Sequence, residues 1–386
     1  MNYPICFRLV ALAIFLCATP LLGGCSPDAP EQKNEARTTE PAETAVVPLV
    51  EPEPEPEPQP QAEPAKELPE VMVIYGREEF VPFLESKGWW GEIDRGTQLV
   101  VPHFIITAIH PSWQEYSKTL PVPIKKQLFY RLMLPLVMHA NFMVMNFREQ
   151  LQTALGEYAA DGAVSPESLI VIKRLAFLLP RMSAEDVDGI TADNTDMDSM
   201  LNALLYHVDV VPAGLALGQA AYESGYGTSR FAVEGNSLFG QWTYKGDGIK
   251  PKEQRKSSKG DHRIKTFEWP FDSVRGYFIN LMSHPAYEDF RRLRAELRKA
   301  GKPLSSMELA NGLLRYSERG QEYVDSLKGI MRVNKLDLAD NAVFLDEPMY
   351  FLISEETRED VEKTKIRLAE AEKSELLAIL ERMRLE

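Results

Sequence analysis

One glutamate stands where an apolar helix is about to end. The stretch LGQAAYESGYGTSRFAVEGNSLFGQW runs from Leu217 to Trp242, and Glu223 is its first acidic residue. Small and apolar residues precede it at three- and four-residue spacings, which predicts a helix, and Gly225 is a natural left-handed stop. Glu223 therefore falls in the last helical turn, where the negative end of the helix dipole disfavours an anion.

Burial would act on this carboxyl in the same direction as the helix end. If Glu223 is partly buried among its apolar neighbours, both effects raise its pKa. A carboxylic acid that is still protonated near neutral pH is what glycoside hydrolysis needs to protonate a leaving sugar oxygen. From spacing alone, a solvated glutamate at a helix end is the simpler interpretation.

Composition limits the classes of protein to consider. Of the 386 residues 44% are hydrophobic, which is enough to bury one large core or two modest ones. The formal net charge is −14, but residues 26–70 hold 12 acids and 3 bases, so the rest of the chain is only mildly acidic. No basic surface interleaved with aromatic residues is visible in the sequence, which argues against nucleic acid as a partner.

The first 25 residues predict a lipoprotein signal peptide. Arg8 precedes the apolar run LVALAIFLCATPLL, which is too short for a stable bilayer span and suits the h-region of a secretory signal. Residues 22–25, Leu-Gly-Gly-Cys, resemble the lipobox of bacterial lipoproteins, in which Cys25 becomes the acylated N-terminus. An ordinary signal peptide with a chance cysteine is the alternative. Because Ser26 is not the aspartate of an inner-membrane retention signal, we expect an outer-membrane lipoprotein that faces the periplasm.

Cysteine and histidine usage argues against metal and thiol chemistry. Cys6 and Cys17 would leave with the signal, so the mature chain would carry no thiol except a lipidated one. That argues against disulfides, thiolate zinc sites and a cysteine nucleophile. The six histidines lack ligand spacing, so we predict neither a metal nor a cofactor.

The pattern of apolar residues predicts a mainly helical protein. Residues 125–155 read as a buried core helix, which Pro135 either kinks or begins. Ser165 and Pro166 predict a helix start, and that helix runs to about Leu179. A further charged helix with a loose apolar stripe is predicted from Glu355 onward.

Several motifs, in order, carry a resemblance to a known family. The stretch AAYESGYGTSRFAVEGNSLFGQW resembles the glucosaminidase domain of glycoside hydrolase family 73, and within that family it is most similar to the Bax-like bacterial proteins. SVRGYFINLMSHPAYEDFRRLRA from Ser273 and LLRYSERGQEYVDSL from Leu313 support the same resemblance. Together these segments cover roughly residues 125–340.

The resemblance implies a lysozyme-like, mostly helical α+β fold with a small β-lobe at about residues 240–267 and a cleft for glycan. It implies that Glu223 is the catalytic acid. It also implies that several residues contact substrate in or beside the cleft: Tyr226, Asn236, Phe239, Gly240, Gln241, Trp242 and Tyr316. Tyr316 serves equally well as a core residue.

The second catalytic group stays open. The family is proposed to use another acid from the β-lobe, and Glu253 is the nearest match, with Asp247 and Asp261 as competitors. A base further from Glu223 would leave room for water and inversion, whereas a closer one would allow a covalent intermediate; assistance by the substrate's own N-acetyl group needs no second nucleophile. Residues 245–265 carry 8 bases against 3 acids, and such a basic rim would attract the carboxylates of peptidoglycan, unless it is merely a solvated loop.

The sequence thus predicts five segments. Residues 1–25 form the signal peptide, 26–70 a Pro/Glu-rich disordered tether, 71–200 a helical region that packs on the catalytic domain, 201–340 the glucosaminidase domain and 341–386 a charged C-terminal helix. The predicted function is that of a lipid-anchored endo-β-N-acetylglucosaminidase acting on peptidoglycan, with protein partners unknown. A lytic transglycosylase or muramidase on the same fold is one alternative, and a non-catalytic peptidoglycan-binding scaffold is another.

Overall fold

The computed structural model describes the chain in five stretches, residues 70–91, 96–179, 182–244, 248–251 and 263–371. They belong to one compact unit. The unit is mainly helical with small sheets, which confirms the predicted fold class. The predicted signal peptide, Cys25, the tether up to residue 69 and the C-terminal helix beyond residue 371 lie outside the described residues.

Helices dominate the described chain. They are α1 (Phe80–Ser86), α2 (Trp113–Thr119), α3 (Val122–Asp161), α4 (Pro166–Leu178), α5 (Ala184–Asp188), α6 (Met197–His207), α7 (Ala213–Ser224), α8 (Arg230–Gly235), α9 (Pro270–Ser283), α10 (Glu288–Lys299), α11 (Ser306–Leu309), α12 (Gln321–Val333) and α13 (Arg358–Ala371). The strands are β1 (Glu70–Tyr75), β2 (Val100–Val101), β3 (Phe104–Ile106), β4 (Trp242–Thr243), β5 (Gly248–Ile249), β6 (Arg263–Lys265), β7 (Val343–Phe344) and β8 (Tyr350–Glu355).

The 40-residue helix α3 is the central element of the core. It packs against α4, α6, α7 and α9. By length and composition α3 could cross a membrane, but 67% of its apolar 18-residue stretch is buried inside the structure. Pro135 lies inside α3, so the alternative that this proline begins the helix is wrong. Its neighbours Leu134 and Leu136 are buried, and we attribute the tolerance of the missing backbone N–H to this packing.

A parallel sheet joins the two ends of the described chain. Its strand order is β1-β8-β3, and Glu70–Tyr75 pairs with Tyr350–Glu355 along its whole length. The segment 341–386 was predicted to be a charged C-terminal helix, but it contains strand β8 before the helix, α13, begins at Arg358. Residues YFLIS form a strand because they are rich in aromatic and β-branched side chains, and Phe351, Leu352 and Ile353 are buried.

The β-lobe is a three-stranded antiparallel sheet with the order β4-β6-β5. Ile264 of β6 lies between Trp242 and Ile249. The lobe thus occurs within residues 240–267, as predicted, although β5 was not foreseen.

Helix α7 lies in the core and is buried on nearly every side. Two of its glycines allow neighbouring elements to pack closely against it. A Cβ on Gly214 would lie 2.3 Å from the carbonyl oxygen of Leu336, and one on Gly218 would lie 3.0 Å from Cγ of Met331. The backbone of Leu336 therefore approaches α7 at Gly214 more closely than a side chain there would allow, and the Met331 side chain packs tightly on Gly218. These contacts fix the helix in place with Glu223 in its last turn.

Candidate active site

The turn after Glu223 ends α7 abruptly. Gly225, Tyr226 and Gly227 all adopt positive φ, at 59°, 61° and 75°. The backbone N–H groups of Gly225 and Tyr226 donate to the carbonyl of Ala221, which satisfies one of the carbonyls that a helix end leaves without a partner. The turn therefore fixes the direction in which the last helical residues point.

Contacts with neighbouring residues stabilise the positive φ of Tyr226. A non-glycine residue at positive φ is uncommon. The indole N–H of Trp113 donates to the carbonyl of Tyr226 at 2.9 Å, and the Tyr226 ring packs edge-on against Phe129 and Tyr130 of α3. The resemblance predicts that Tyr226 contacts substrate. In the structure its ring packs against α3, a helix that precedes the matched domain.

Glu223 is half-buried, and one side chain holds it. The hydroxyl of Tyr323, on α12, donates to Oε1 of Glu223 at 2.9 Å. Burial raises the pKa of Glu223, and the Tyr323 hydrogen bond offsets part of that rise. The net effect is a carboxyl that keeps its proton to a higher pH than a solvated glutamate does.

A buried chain of hydrogen bonds supports this contact. Gln219 lies one helical turn before Glu223, and its side-chain amide donates to the Tyr323 hydroxyl at 2.9 Å. The hydroxyl of Tyr277, on α9, donates in turn to Oε1 of Gln219. Gln219, Tyr277 and Tyr323 are almost completely buried. The hydrogen bond from Gln219 therefore fixes the orientation of the Tyr323 hydroxyl.

Tyrosines form a wall beside the carboxyl. Tyr316 stacks on Tyr323 with 5.5 Å between ring centroids, and Tyr287 lies 5.5 Å from Tyr316. Burial raises the pKa of Tyr277, Tyr287, Tyr316 and Tyr323, and the charge of Glu223 adds to the rise in each. All four phenols therefore stay neutral near neutral pH and remain hydrogen-bond donors.

Phe239 and Tyr316, which the resemblance predicts to contact substrate, both lie on this wall. Phe239 stacks on Tyr277 with 4.0 Å between centroids and an interplanar angle of 6°. The Tyr316 hydroxyl lies 3.5 Å from the carbonyl oxygen of Phe239. Gly240 follows with φ of 61°, and a Cβ there would meet open space.

Gln241 and Trp242 lead from the wall into the β-lobe. The Gln241 amide donates to the carbonyl of Ser273 at 3.0 Å, which ties the lobe to α9. Trp242 is 50% exposed, so it presents apolar ring surface at the start of the β-lobe.

Asn236 is engaged in backbone contacts. Its Oδ1 accepts from the N–H of Ile109 at 3.1 Å, and its Nδ2 donates to the carbonyls of Phe267 and Glu268. The residue also adopts positive φ at the end of α8. In this structure its amide links the β-lobe to the strand region before α2.

Glu253, Asp247 and Asp261 lie outside the described residues. Within the described ranges, burial and Tyr323 account for the altered pKa of Glu223, and no neighbouring carboxylate contributes to it. The same part of the chain holds no group of three or more His, Cys, Asp or Glu placed to bind a metal. The second catalytic group thus stays a prediction.

Sequence reasoning missed three members of the site: Gln219, Tyr277 and Tyr323. Gln219 was within reach, since it lies four residues before Glu223 on one helix face. Tyr323 lies in the quoted run YSERGQEYVDSL, where only Tyr316 was singled out. Tyr277 carries no local signal, because it reaches Gln219 only through the packing of α9 on the core.

Comparisons with known proteins match the segment that contains this site. Residues 203–336 match the family model described as mannosyl-glycoprotein endo-beta-N-acetylglucosaminidase, so the chain carries a glucosaminidase-family domain there. Protein bax of Escherichia coli K12 is 35% identical over 134 residues, which are 35% of this chain and 47% of that protein. The chain thus spans about half the length of this curated relative. No solved structure matches significantly. Glu223, Tyr316 and Tyr323 all lie inside the matched segment.

Proposed function

We propose that the protein is a peptidoglycan hydrolase, an endo-β-N-acetylglucosaminidase that cleaves β-1,4 glycosidic bonds with Glu223 as general acid. The observation that carries the proposal is the half-buried Glu223 carboxyl, whose pKa burial raises, inside a segment that matches a glucosaminidase family. A family match alone indicates a class of glycosidase. The geometry around Glu223 supports a role for that particular residue.

The proposed chemistry is proton donation to the leaving sugar oxygen. Protonated Glu223 donates to the glycosidic oxygen as the bond to the anomeric carbon breaks, and positive charge develops on the sugar ring. Tyr323 donates to Oε1 of Glu223, so it holds the carboxyl and stabilises the carboxylate that forms. The half-exposed Trp242 offers a ring on which a sugar can stack.

Digestion of purified peptidoglycan tests the proposal. The mature polypeptide from Ser26 onward and its Glu223→Gln variant are incubated with the glycan, and the products are reduced and identified by mass spectrometry. Reduced N-acetylglucosamine ends from the wild type and none from the variant are expected. Glu234→Gln is the matched control, since Glu234 is an exposed partner of Arg230, and we expect this substitution to leave activity unchanged.

Other outcomes separate the alternatives. Anhydro-muramic ends would assign the protein to the lytic transglycosylases, and reduced muramic ends to the muramidases. If the wild type binds peptidoglycan and releases no product, the protein is a binding scaffold and the proposed reaction is refuted.

The second catalytic group is proposed to be Glu253, with Asp247 and Asp261 as competitors. Each is exchanged singly for its amide and assayed on the same glycan. We expect Glu253→Gln to reduce turnover by two orders of magnitude or more, on the order of what a general base or nucleophile contributes. Full activity in all three variants would favour assistance by the substrate's N-acetyl group.

We further propose that the chain is anchored by lipid at Cys25 and works at the outer membrane, facing the periplasm. The sequence Leu-Gly-Gly-Cys after an apolar run supports this. Incorporation of labelled palmitate by the wild type but not by Cys25→Ser, with the label in the outer-membrane fraction, is the expected result. If the wild type stays unlabelled, lipid anchoring at Cys25 is refuted, and the first residues are an ordinary secretory signal peptide.

A further inference from the structure

A cavity of about 260 Å³ lies between the 70–200 region and the glucosaminidase domain. Helix α3 and the segment around β2 form walls that lie outside the family match, while Leu217 and the chain from Val333 onward form the facing walls. No member of the tyrosine wall around Glu223 lines the cavity. It is therefore a separate site, formed where the additional region packs on the matched domain.

The apolar lining of the cavity is mainly aliphatic, with Trp89 as an aromatic member. Leu99, Val101 and Leu134 line one side, and Leu217 and Leu336 line the other. Val100 and Val333, which also line it, are 45% and 75% exposed, so apolar surface continues to the mouth. A dry apolar cavity of about 150 Å³ holds benzene, and this larger one, lined by branched aliphatic side chains, suits a flexible alkyl chain.

The charged groups of the cavity are cationic. Lys126, Arg131 and Lys335 line it, and no aspartate or glutamate is among the described residues that do so. Gln127 and Asn334 are neutral polar members of the lining. An anionic group placed in the cavity would meet several positive charges and no described carboxylate.

The Arg131 guanidinium has hydrogen-bonding capacity to spare. It is half-buried and donates to the carbonyl of Gly91 at 2.6 Å, yet it forms no ion pair with a described residue. A guanidinium has five N–H donors, and leaving a buried charge without a partner is costly. An anionic ligand oxygen would pair with it.

We propose that this cavity binds a single-chain amphiphile with an anionic head group, such as a medium-chain fatty acid. The alkyl chain lies against the leucine and valine side chains, and the head group contacts Arg131 and Lys126. The branched aliphatic side chains that predominate in the lining suit an acyl chain, and the charges favour an anion over a neutral or cationic head.

Calorimetric titration with three probes of equal chain length tests the proposal. Decanoate, 1-decanol and decyltrimethylammonium are added below their micelle concentrations to the mature polypeptide from Ser26 onward, purified without detergent. We expect decanoate to saturate one site and to raise the melting temperature. The alcohol should bind at least about tenfold more weakly, and the cation should show no saturable binding.

Matched variants locate the site. Lys126→Gln and Arg131→Gln should each weaken decanoate binding about fivefold or more and leave binding of the alcohol unchanged. Lys125→Gln is the control, because Lys125 neighbours Lys126 and does not line the cavity. Leu99→Trp, which fills the cavity, should remove binding of both probes.

Three results would overturn the proposal: no saturable heat with decanoate, equal affinity for the anionic and cationic probes, or decanoate binding that survives both charge variants and the filled cavity. If Arg131→Gln fails to fold, Lys126→Gln and Leu99→Trp still decide the outcome. Peptidoglycan digestion is a separate measurement, so failure of this proposal leaves the glycosidase proposal standing.

Discussion

Burial of the Glu223 carboxyl links the chemistry of the site to the stability of the fold. Its pKa in the folded protein lies above the ordinary value of 4.5, so the unfolded chain releases this proton more easily. As pH rises above about 4.5 the unfolded state therefore gains stability relative to the folded one, and below that pH the difference disappears. The buried Glu223 carboxyl therefore weakens the fold above that pH.

Glu223→Gln should accordingly stabilise the protein. Glutamine keeps an oxygen for the Tyr323 hydroxyl and carries no charge, so the variant avoids the loss of stability above pH 4.5. We expect a melting temperature about 1 °C above that of the wild type at pH 7, an increment of under about 1 kcal/mol in a domain of this size, and equal values near pH 4. Calorimetric melting across this range measures the difference. A variant that melts lower than the wild type at pH 7 would contradict burial as the cause.

Tyr323→Phe isolates the hydrogen bond to Glu223. That bond lowers the pKa of Glu223, so its loss raises the pKa further and moves the alkaline limb of the pH–activity profile to higher pH. Turnover should fall about tenfold, because the carboxyl is held less firmly and the carboxylate loses a donor. Tyr222→Phe is the control, since the Tyr222 hydroxyl bonds Arg319 rather than Glu223. An unshifted limb in Tyr323→Phe would remove Tyr323 from the mechanism.

At this scale the sequence predicted the residue with the strongest local signal and missed its partners. Glu223 was identifiable because a helix stop follows it directly. Tyr277 and Tyr323 are 54 and 100 positions away from it by residue number, and no local pattern reports contacts at such separations. Their position depends on the packing of α9 and α12 on α7, which is a property of the whole core.

At the scale of elements, the start of α7 depends on one buried carboxylate. Oδ1 of Asp340 accepts from the N–H of Gly214 at 3.0 Å, and Oδ2 accepts from the N–H of Ser306 at 2.8 Å. Asp340 thus satisfies one of the donors that the first turn of α7 leaves unpaired, and it also holds the start of α11. The helix that carries Glu223 is anchored from both ends.

Asp340→Ala should destabilise the fold and disturb the site indirectly. Two buried N–H groups would lose their acceptor, and we expect a loss of about 2–4 kcal/mol in the free energy of unfolding. Urea denaturation measures the loss. Asp289→Ala is the control, because Asp289 forms only an exposed ion pair with Arg292, which contributes about 0–1 kcal/mol. Equal losses in the two variants would contradict a structural role for Asp340.

Element prediction from sequence succeeded where a local rule applied. Ser165 caps α4 through its side chain as predicted, and Gly225 ends α7 in the left-handed conformation. The alternative in which α3 begins at Pro135 was wrong, because burial of the helix in the core outweighs the single hydrogen bond that this proline removes. The strand at Tyr350–Glu355 was missed because a charged segment follows it and its pairing partner lies near residue 70.

At the scale of the whole molecule, the region before residue 200 completes the core of the matched domain. Helix α3 packs against α6, α7 and α9, and its Leu128, Leu136 and Leu151 are fully buried. The parallel pairing of β1 with β8 likewise makes the end of the described chain depend on its beginning. The sequence predicted α3 at residues 125–155, within its observed range of Val122–Asp161. It predicted neither β1 nor β8, because a parallel sheet between distant segments leaves no periodic signal.

The isolated segment 201–340 should therefore fail to form a rigid domain. Without α3, the apolar face of α7 opposite α12 is exposed, and a core that loses one of its walls keeps helical content while it loses fixed packing. We expect a strong helical signal in far-ultraviolet circular dichroism, a weak near-ultraviolet spectrum and no hydrolysis of peptidoglycan. The chain 70–371 is the control and should melt cooperatively. If the isolated segment melts cooperatively and hydrolyses the glycan, the region before residue 200 is an appendage, and the cavity that it forms with the domain is dispensable for the fold.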